Sequence, residues 1–341
     1  MAPPPPLALA TPSATASATM AATVSGMVAR LAVRSLHGEL ALYPKPGLVS
    51  MVDSGSHADM TALTFVRSLG ALRHYFRQIT LAGIGGADFA HLVTLGMQAE
   101  ARMLAATSGV NTHRGAIFCL GLLCAAIGRA HAGQRALDAT MIRAALIDTW
   151  GADLQAHTAA RLPAATGTRA AIVHAVGGAR AEAAGGMPSV FDIGLPALHR
   201  TLRAGRGWHC ACTDAFFTLL AAVDDTTLYH RGGAAGTALA RAHGQRFMDA
   251  GGTANPGWRH AALASHRLFV ERRLSPGGVA DLLAATCLVQ HATQPALQRQ
   301  GMQEIREIRE IQEIQRLQRL QRPPRVLPAA AMDRTGKVVA A

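Results

Sequence analysis

The stretch SHADMTALTFVRSLGALRHYFRQI, residues 56–79, decides the fold class. Its large apolar residues recur at spacings of four, three, four and three, which places them on one face of an α-helix: Phe65, Leu69, Leu72, Phe76 and Ile79. Ser56 and Asp59 have the spacing of a capping box and predict where this helix begins. The stretch therefore predicts an amphipathic helix with one buried face.

Helical patterns continue on both sides of this stretch. Ala, Leu and Arg dominate, and alternating runs of Val, Ile, Thr and Tyr are missing. Further helices are predicted over residues 26–41, 86–106, 115–130, 138–160, 168–184, 212–223, 234–249, 256–272 and 277–290. We expect an all-α fold, with a single multi-helix globular domain over residues 25–295 and functional groups on the polar turns.

The two ends of the chain differ from this domain. Residues 1–24 are rich in Pro, Ala, Thr and Ser and predict a disordered leader. Residues 296–341 contain a three-residue repeat whose Ile and Leu row winds around a helix, because a helical turn takes about 3.6 residues. We expect this tail to be helical or disordered, and any helix in it ends at Pro323 and Pro324.

The charge of the chain is compatible with two kinds of ligand. A formal net charge of +12 is typical of proteins that bind nucleic acid. Many of the arginines lie in the tail, aromatic residues are only 4% of the chain, and no zinc-finger or RNP signature occurs. A small polyanionic ligand therefore explains the charge as well, and we expect no nucleic-acid partner.

Cysteine use and hydropathy indicate the compartment. Five cysteines are an odd number and suit a reducing cytoplasm. No uninterrupted apolar run reaches the roughly 18 residues that a membrane span needs. No basic residue precedes the weakly apolar segment near the N-terminus, which disfavours a secretion signal. These features predict a cytoplasmic protein with no membrane partner.

Four polar turns interrupt the helices and carry the candidate functional residues. They cover residues 43–60, 108–118, 223–233 and 274–283. The chemically useful side chains and glycines are Lys45, Asp53, His57 and Asp59 in the first turn, Asn111, Thr112, His113 and Arg114 in the second, Asp224, Asp225, His230 and Arg231 in the third, and Ser275, Gly277 and Gly278 in the fourth. The second and fourth turns lead into helices, whose free N–H groups favour an anion.

Each of these residues also has a purely structural interpretation. Asp59 could only cap a helix, Asp224 and Asp225 could be ordinary helix-end residues, and His57 and His113 could be structural. No P-loop, nucleophile elbow or HExxH zinc motif is present. The residues alone therefore predict a polar site that suits phosphate and is built from several turns.

Lys45 is unusual in this chain, because it and Lys337 are the only lysines among 33 basic residues. It lies between Pro44 and Pro46, which restrict the backbone. A compact ammonium in a stiff turn predicts a tight site for one phosphate oxygen. The alternative is a solvent-exposed turn lysine, and in either case we expect substitution of Lys45 to leave the melting temperature almost unchanged.

Taken in order, the motifs PKPGLV, GSHADM, GVNTHRGAIF, ARAEAAGGMPSVFDIGLPAL, DDTTLYHRGG and SPGGVADLLA resemble those of the triphosphoribosyl-dephospho-CoA synthase family. The resemblance covers about residues 26–290, and residues 41–126 are most similar to the branch that serves malonate decarboxylase. Thr227 replaces an expected asparagine, and Val279 replaces an expected small polar residue.

The resemblance implies a reaction between ATP and 3′-dephospho-CoA. A ribose 2′-hydroxyl attacks C1′ of ATP, adenine leaves, and the product goes to a holo-carrier-protein transferase. A carboxylate would serve as base or charge stabiliser, with Glu39, Asp53, Asp59, Asp224, Asp225 and Asp281 available and Asp59 and Asp225 favoured.

The other roles that the resemblance implies fall on the same turns. His113 or His57 would protonate adenine. The phosphates would meet Lys45, Asn111, Arg114, Arg231, Ser275, Gly277 and Gly278. Mg²⁺ is expected with the triphosphate, on Asp224 and Asp225.

Two other functions stay open from the sequence. A hydrolase that cleaves the N-glycosidic bond of a nucleotide would use the same residues and would release adenine without dephospho-CoA. A non-enzymatic nucleic-acid-binding protein would show strongly salt-dependent binding and no release of adenine.

Overall fold

The computed structural model describes residues 14–131, 137–159 and 178–294, and all the regular structure in these ranges is helical. The α-helices are α1 Ala14–Ala41, α2 Ala62–Ile84, α3 Phe89–Ala106, α4 Arg114–His131, α5 Ala139–Ala159, α6 Gly178–Ala184, α7 Leu195–Arg203, α8 Gly207–Ala222, α9 Thr226–Asp249, α10 Trp258–Glu271 and α11 Gly277–Thr293. A π-helical segment, Ser189–Gly194, leads into α7, and a 3₁₀ turn, Gly252–Ala254, follows α9. The predicted all-α class is confirmed.

Helix α2 buries the face that its spacing predicts. Leu69, Leu72, Phe76 and Ile79 are buried in the main core, and Phe65 packs on a smaller cluster formed by Leu40, Val49 and Met60. The predicted start at Ser56 is wrong, since α2 begins at Ala62 and the Thr61 N–H donates to Thr64 Oγ1. Ser56 instead donates to the carbonyls of Phe269 and Leu274, at 3.1 and 2.6 Å.

Helix α4 lies at the centre of the bundle. It packs against α1, α2, α3, α5 and α11. Glycine allows the close approach of α2, because a Cβ on Gly83 of α2 would lie 2.1 Å from the Ala125 carbonyl of α4. By length and composition α4 could cross a membrane, although the sequence analysis identified no membrane span. Most of α4 is buried inside the protein. Such burial is typical of a core helix.

Several predicted boundaries are wrong in the described ranges. Helix α1 begins at Ala14, so residues 14–24 of the predicted leader are helical, and Val24 is buried. Helix α7 and the π-helical segment were missed, and residues 226–233 of the predicted third turn belong to α9, which kinks at Gly233 where φ is 58°. The predicted helix over residues 168–184 is described only from Gly178, and the tail lies outside the described residues.

Candidate active site

A cavity of about 1000 Å³ opens in the helix bundle. The N-terminal ends of α4, α9 and α11 all reach it, through residues 111–115, 224–227 and 275–278. Each N-terminus presents the positive end of a helix dipole. This end of the cavity is therefore suited to an anionic group such as a phosphate.

Asp225 joins two of these helices. As the N-cap of α9 it accepts through Oδ1 from the backbone N–H groups of Thr227 and Leu228, at 2.7 and 3.1 Å. Its Oδ2 accepts from the N–H of Val279 in α11, at 2.9 Å. Burial raises the pKa of Asp225, and these hydrogen bonds oppose the shift. The carboxylate is fully engaged in holding the two N-termini together.

The glycines of the fourth turn allow this contact. A Cβ on Gly278 would lie 3.1 Å from Asp225 Oδ2, and one on Gly277 would lie 3.1 Å from Thr227 Oγ1. Val279 reaches Asp225 through its backbone, and its side chain is buried in the core. The replacement of a small polar residue by Val279 therefore leaves this contact intact.

Lys45 occupies neither of its predicted positions. It is buried, with 1% of its surface exposed, and it does not line the cavity. Its Nζ donates to Glu39 Oε1 and to the Glu39 carbonyl, both at 2.5 Å. Burial lowers the pKa of Lys45, while Glu39 opposes that shift. Lys45 thus holds Glu39, a cavity-lining residue of α1, in an ion pair.

His113 lies at the start of α4 and lines the cavity. Its Nδ1 shares a hydrogen bond of 2.7 Å with Ser68 Oγ, and its Nε2 is buried without a partner among the described residues. Burial, and then the charge of Lys45, lower the pKa of His113 to about 3. The position of His113 at a helix N-terminus predicts the same direction, because the helix dipole favours the neutral imidazole. At neutral pH the imidazole is therefore uncharged.

His57 is fixed by residues from two other turns. Arg231 Nη2 donates to its Nδ1 at 3.0 Å, so the proton lies on Nε2, which donates to Ser275 Oγ at 2.8 Å. Burial and then Arg231 lower the pKa of His57, while Asp59, 3.7 Å away, raises it. Both ring nitrogens are thus used in binding the first, third and fourth turns to one another.

The remaining predicted residues differ in their access to the cavity. Arg114 lines it and pairs with Glu100, and Asn111 Oδ1 accepts from the Arg114 N–H. Arg231 and Asp59 do not line it, and 63% of the Asp59 side chain is exposed. The structure therefore brings together most of the predicted set but leaves five of its members outside the cavity wall: Lys45, Asp53, Asp59, His230 and Arg231.

Two acidic residues at the cavity are not among those that the sequence analysis favours: Glu182 is not a candidate there, and Asp281 is one of the available carboxylates. Glu182 accepts from the N–H and hydroxyl of Ser189, at 2.7 and 2.9 Å, inside one of the motifs that carry the resemblance. Asp281 faces the start of α4, where a Cβ on Gly115 would lie 2.0 Å from its Oδ2. The glycine at position 115 was the available signal for such a close approach.

The predicted pair of magnesium ligands does not fit that role. Asp224 Oδ1 pairs with Arg241 at 2.5 Å, and both oxygens of Asp225 already accept backbone hydrogen bonds. Within the described ranges, no group of three or more His, Cys, Asp or Glu residues is placed to hold a metal ion. Asp225 therefore has no free oxygen for Mg²⁺, and Arg241 takes one oxygen of Asp224, so the two do not form an open pair of oxygen ligands.

The fold and the cavity together define an all-α enzyme whose site suits a phosphorylated substrate. Comparison with known proteins narrows this class. The family model described as ATP:dephospho-CoA triphosphoribosyl transferase (CitG) matches residues 26–300. The chain therefore belongs to the triphosphoribosyl-dephospho-CoA synthase family, whose members are transferases.

Curated relatives agree with this assignment. A probable 2-(5''-triphosphoribosyl)-3'-dephosphocoenzyme-A synthase of Vibrio cholerae serotype O1 (strain M66-2) is 36% identical over 278 residues, covering 79% of this chain and 88% of the relative. A 2-(5''-triphosphoribosyl)-3'-dephosphocoenzyme-A synthase of Pectobacterium atrosepticum is 37% identical over 263 residues, covering 74% and 85%. No solved structure shows a significant match.

Proposed function

We propose that this chain joins ATP to 3′-dephospho-CoA with release of adenine, and that its product, 2′-(5″-triphosphoribosyl)-3′-dephospho-CoA, is the prosthetic-group precursor for the carrier protein of malonate decarboxylase. The observation that carries the proposal is the convergence of three helix N-termini with buried carboxyl groups in one cavity. The N-termini suit a triphosphate, and a carboxylate suits the oxocarbenium-like state at C1′.

The triphosphate binds at the N-terminal ends of α9 and α11, where Ser275, Gly277 and Gly278 line the cavity. Arg114 and Asn111 add a cation and an amide at the start of α4. Any Mg²⁺ would arrive with the triphosphate, since Asp224 and Asp225 are already engaged. The phosphates are thus held mainly by the helix dipoles and by the backbone at Gly277 and Gly278.

Glu39 is the carboxylate that we assign to the reacting ribose. It lines the cavity, and Lys45 holds it in an ion pair. In that position it would stabilise positive charge at C1′ and take the proton of the attacking 2′-hydroxyl. Lys45 then acts through Glu39 as a positioning residue, and Arg231 acts through His57 in the same way.

The apolar part of the cavity wall suits the long pantetheine arm of dephospho-CoA. Helix α3 lines it with Phe89, Leu92, Val93 and Met97, and Met97 is 68% exposed. A Met97→Glu substitution should raise the KM for dephospho-CoA and leave the KM for ATP unchanged, because a carboxylate disfavours an apolar chain. A rise in both KM values, or in neither, would contradict this placement.

Chromatography of ATP and dephospho-CoA incubated with the purified protein tests the reaction. We expect adenine in a one-to-one ratio with a heavier CoA derivative that retains the triphosphate. Adenine released from ATP alone at the same rate would favour the N-glycosidic hydrolase instead. Strongly salt-dependent binding to nucleic acid without adenine release would favour the nucleic-acid-binding alternative.

The finer role rests on the sequence of residues 41–126, which is most similar to the malonate decarboxylase branch. The product would pass to a holo-carrier-protein transferase in the cytoplasm. Incubating the product with that transferase and the carrier proteins of malonate decarboxylase and citrate lyase tests the assignment. Preferential loading of the citrate lyase carrier would contradict the branch.

A further inference from the structure

Three of the carboxyl groups that line the cavity come from different parts of the chain. Glu39 lies on α1, Asp225 caps α9, and Asp281 lies on α11. Glu39 pairs with Lys45, and Asp225 accepts three backbone N–H groups. Within the described ranges, Asp281 has no ion-pair partner. The one contact that stabilises its anionic form is a hydrogen bond from the backbone N–H of Ala116. The three groups therefore differ in how well their anionic forms are stabilised.

The surroundings of Asp281 favour its protonated form. Burial, and then the negative charges of Glu39 and Asp225, raise the pKa of Asp281 well above its usual range. The nearby Cys119 thiol is itself buried, with its pKa raised. The Lys45 ammonium is committed to Glu39, so it does not pair with Asp281. A carboxyl group in such a place keeps its proton to a higher pH than a free carboxyl group and can donate it.

The two histidines that the sequence analysis assigns to this step are poor sources of a proton. His113 has a pKa of about 3, so almost none of it is protonated at neutral pH. His57 accepts from Arg231 at Nδ1 and donates its Nε2 proton to Ser275. The sequence-based expectation that one of them protonates adenine therefore has weak support in the geometry.

We propose that Asp281 is the general acid that protonates adenine as it leaves, an inference that rests on the proposed function. As the C1′–N9 bond breaks, its electron pair goes to adenine, and the Asp281 proton goes to a ring nitrogen of the base. The 2′-hydroxyl of dephospho-CoA forms the new C1′–O bond, and its proton passes to Glu39. Transfer of that proton from Glu39 to Asp281 restores both groups.

The test compares two leaving groups in the Asp281→Asn variant. With ATP, kcat should fall by ~10²–10⁴-fold, as for loss of a general acid, with KM for ATP near the wild-type value. With an ATP analogue that carries nicotinamide in place of adenine, kcat should fall by at most about tenfold. The ring nitrogen of this analogue is already a pyridinium, so neutral nicotinamide leaves without gaining a proton. Asp249→Asn, at the exposed end of α9, is the matched control and should behave as the wild type.

The outcomes separate the inference from the proposed function. A wild-type chain that releases no adenine refutes both. An active wild type with equal losses on the two substrates refutes the inference alone and makes Asp281 a positioning residue. Full turnover of ATP by Asp281→Asn also refutes it.

Stability provides a measurement that does not depend on turnover. Because the pKa of Asp281 is raised in the folded chain, the native state binds more protons than the unfolded one, and stability falls as pH rises above the ordinary carboxyl range. Asp281→Asn removes this loss. Its melting temperature relative to wild type should therefore increase from about pH 4 to about pH 8, and a constant difference would refute a protonated Asp281.

Discussion

Asp225 offers a sharp test of how the site is held together. Asp225→Ala removes the N-cap of α9, which costs ~1–2 kcal/mol. It also leaves the buried Val279 N–H without an acceptor, which costs a further ~1–3 kcal/mol. The free energy of unfolding should therefore fall by ~2–5 kcal/mol, with a fall in melting temperature of roughly 5–15 °C for a domain of this size.

Asp88→Ala is the matched control for this loss. Asp88 caps α3 at the surface through a single hydrogen bond to the His91 N–H, at 2.8 Å. Its removal should cost only ~0.5–1 kcal/mol. Urea unfolding followed by circular dichroism measures both variants. Equal losses would refute the argument that Asp225 stabilises two helices, since its bond to Val279 would then contribute nothing measurable.

Three further predictions follow from the buried groups. Lys45→Met should destabilise the protein by ~3–5 kcal/mol, because Glu39 is left buried and unpaired. This is contrary to the sequence-based expectation of an almost unchanged melting temperature. Thermal unfolding measures the loss, and adding Glu39→Gln should recover much of it. Since the pKa of His113 is about 3 in the folded chain, the wild type should lose stability as pH falls from about 6.5 towards 3, and His113→Gln should lose less in urea titrations; parallel curves would contradict this. Gly115→Ala should lower turnover by ~10-fold or more, because the new Cβ displaces the carboxyl group of Asp281. Gly38→Ala, on an open helix surface, should leave turnover unchanged. Equal turnover in both variants would contradict the close approach.

The helical class was predictable because it depends on local periodicity. The apolar spacing in residues 65–79 reports directly on which face of α2 meets the core. The start of α2 was not predictable in the same way, because two polar pairs have suitable spacing. Thr61 and Thr64, and not Ser56 and Asp59, mark the start of the helix. Ser56 is not available as a cap, because it donates to carbonyls more than 200 positions away in the chain.

The candidate site shows the same division between local and long-range information. The polar turns identify which segments meet, and three of the four supply helix N-termini or their caps at the cavity. Individual roles depend on partners that no local pattern reveals. The local sequence predicts that Lys45 is a free cation in its turn. In the fold it is buried beside Glu39 of α1. Asp281 is only one of six candidate carboxylates in the sequence, and the close approach of Gly115 to it becomes visible only in the fold.

The bond from Asp225 to α11 has a consequence for the order of folding. Helix α11 is the last described helix, and it packs on α1, where Ser35 and His291 share a hydrogen bond of 3.2 Å. The polar end of the cavity thus needs segments from both ends of the domain. Contacts of such long sequence separation form late, because the intervening loop must close first. During synthesis on the ribosome, the chain can therefore assemble its central helices early but gains a complete site only after its last helix has emerged.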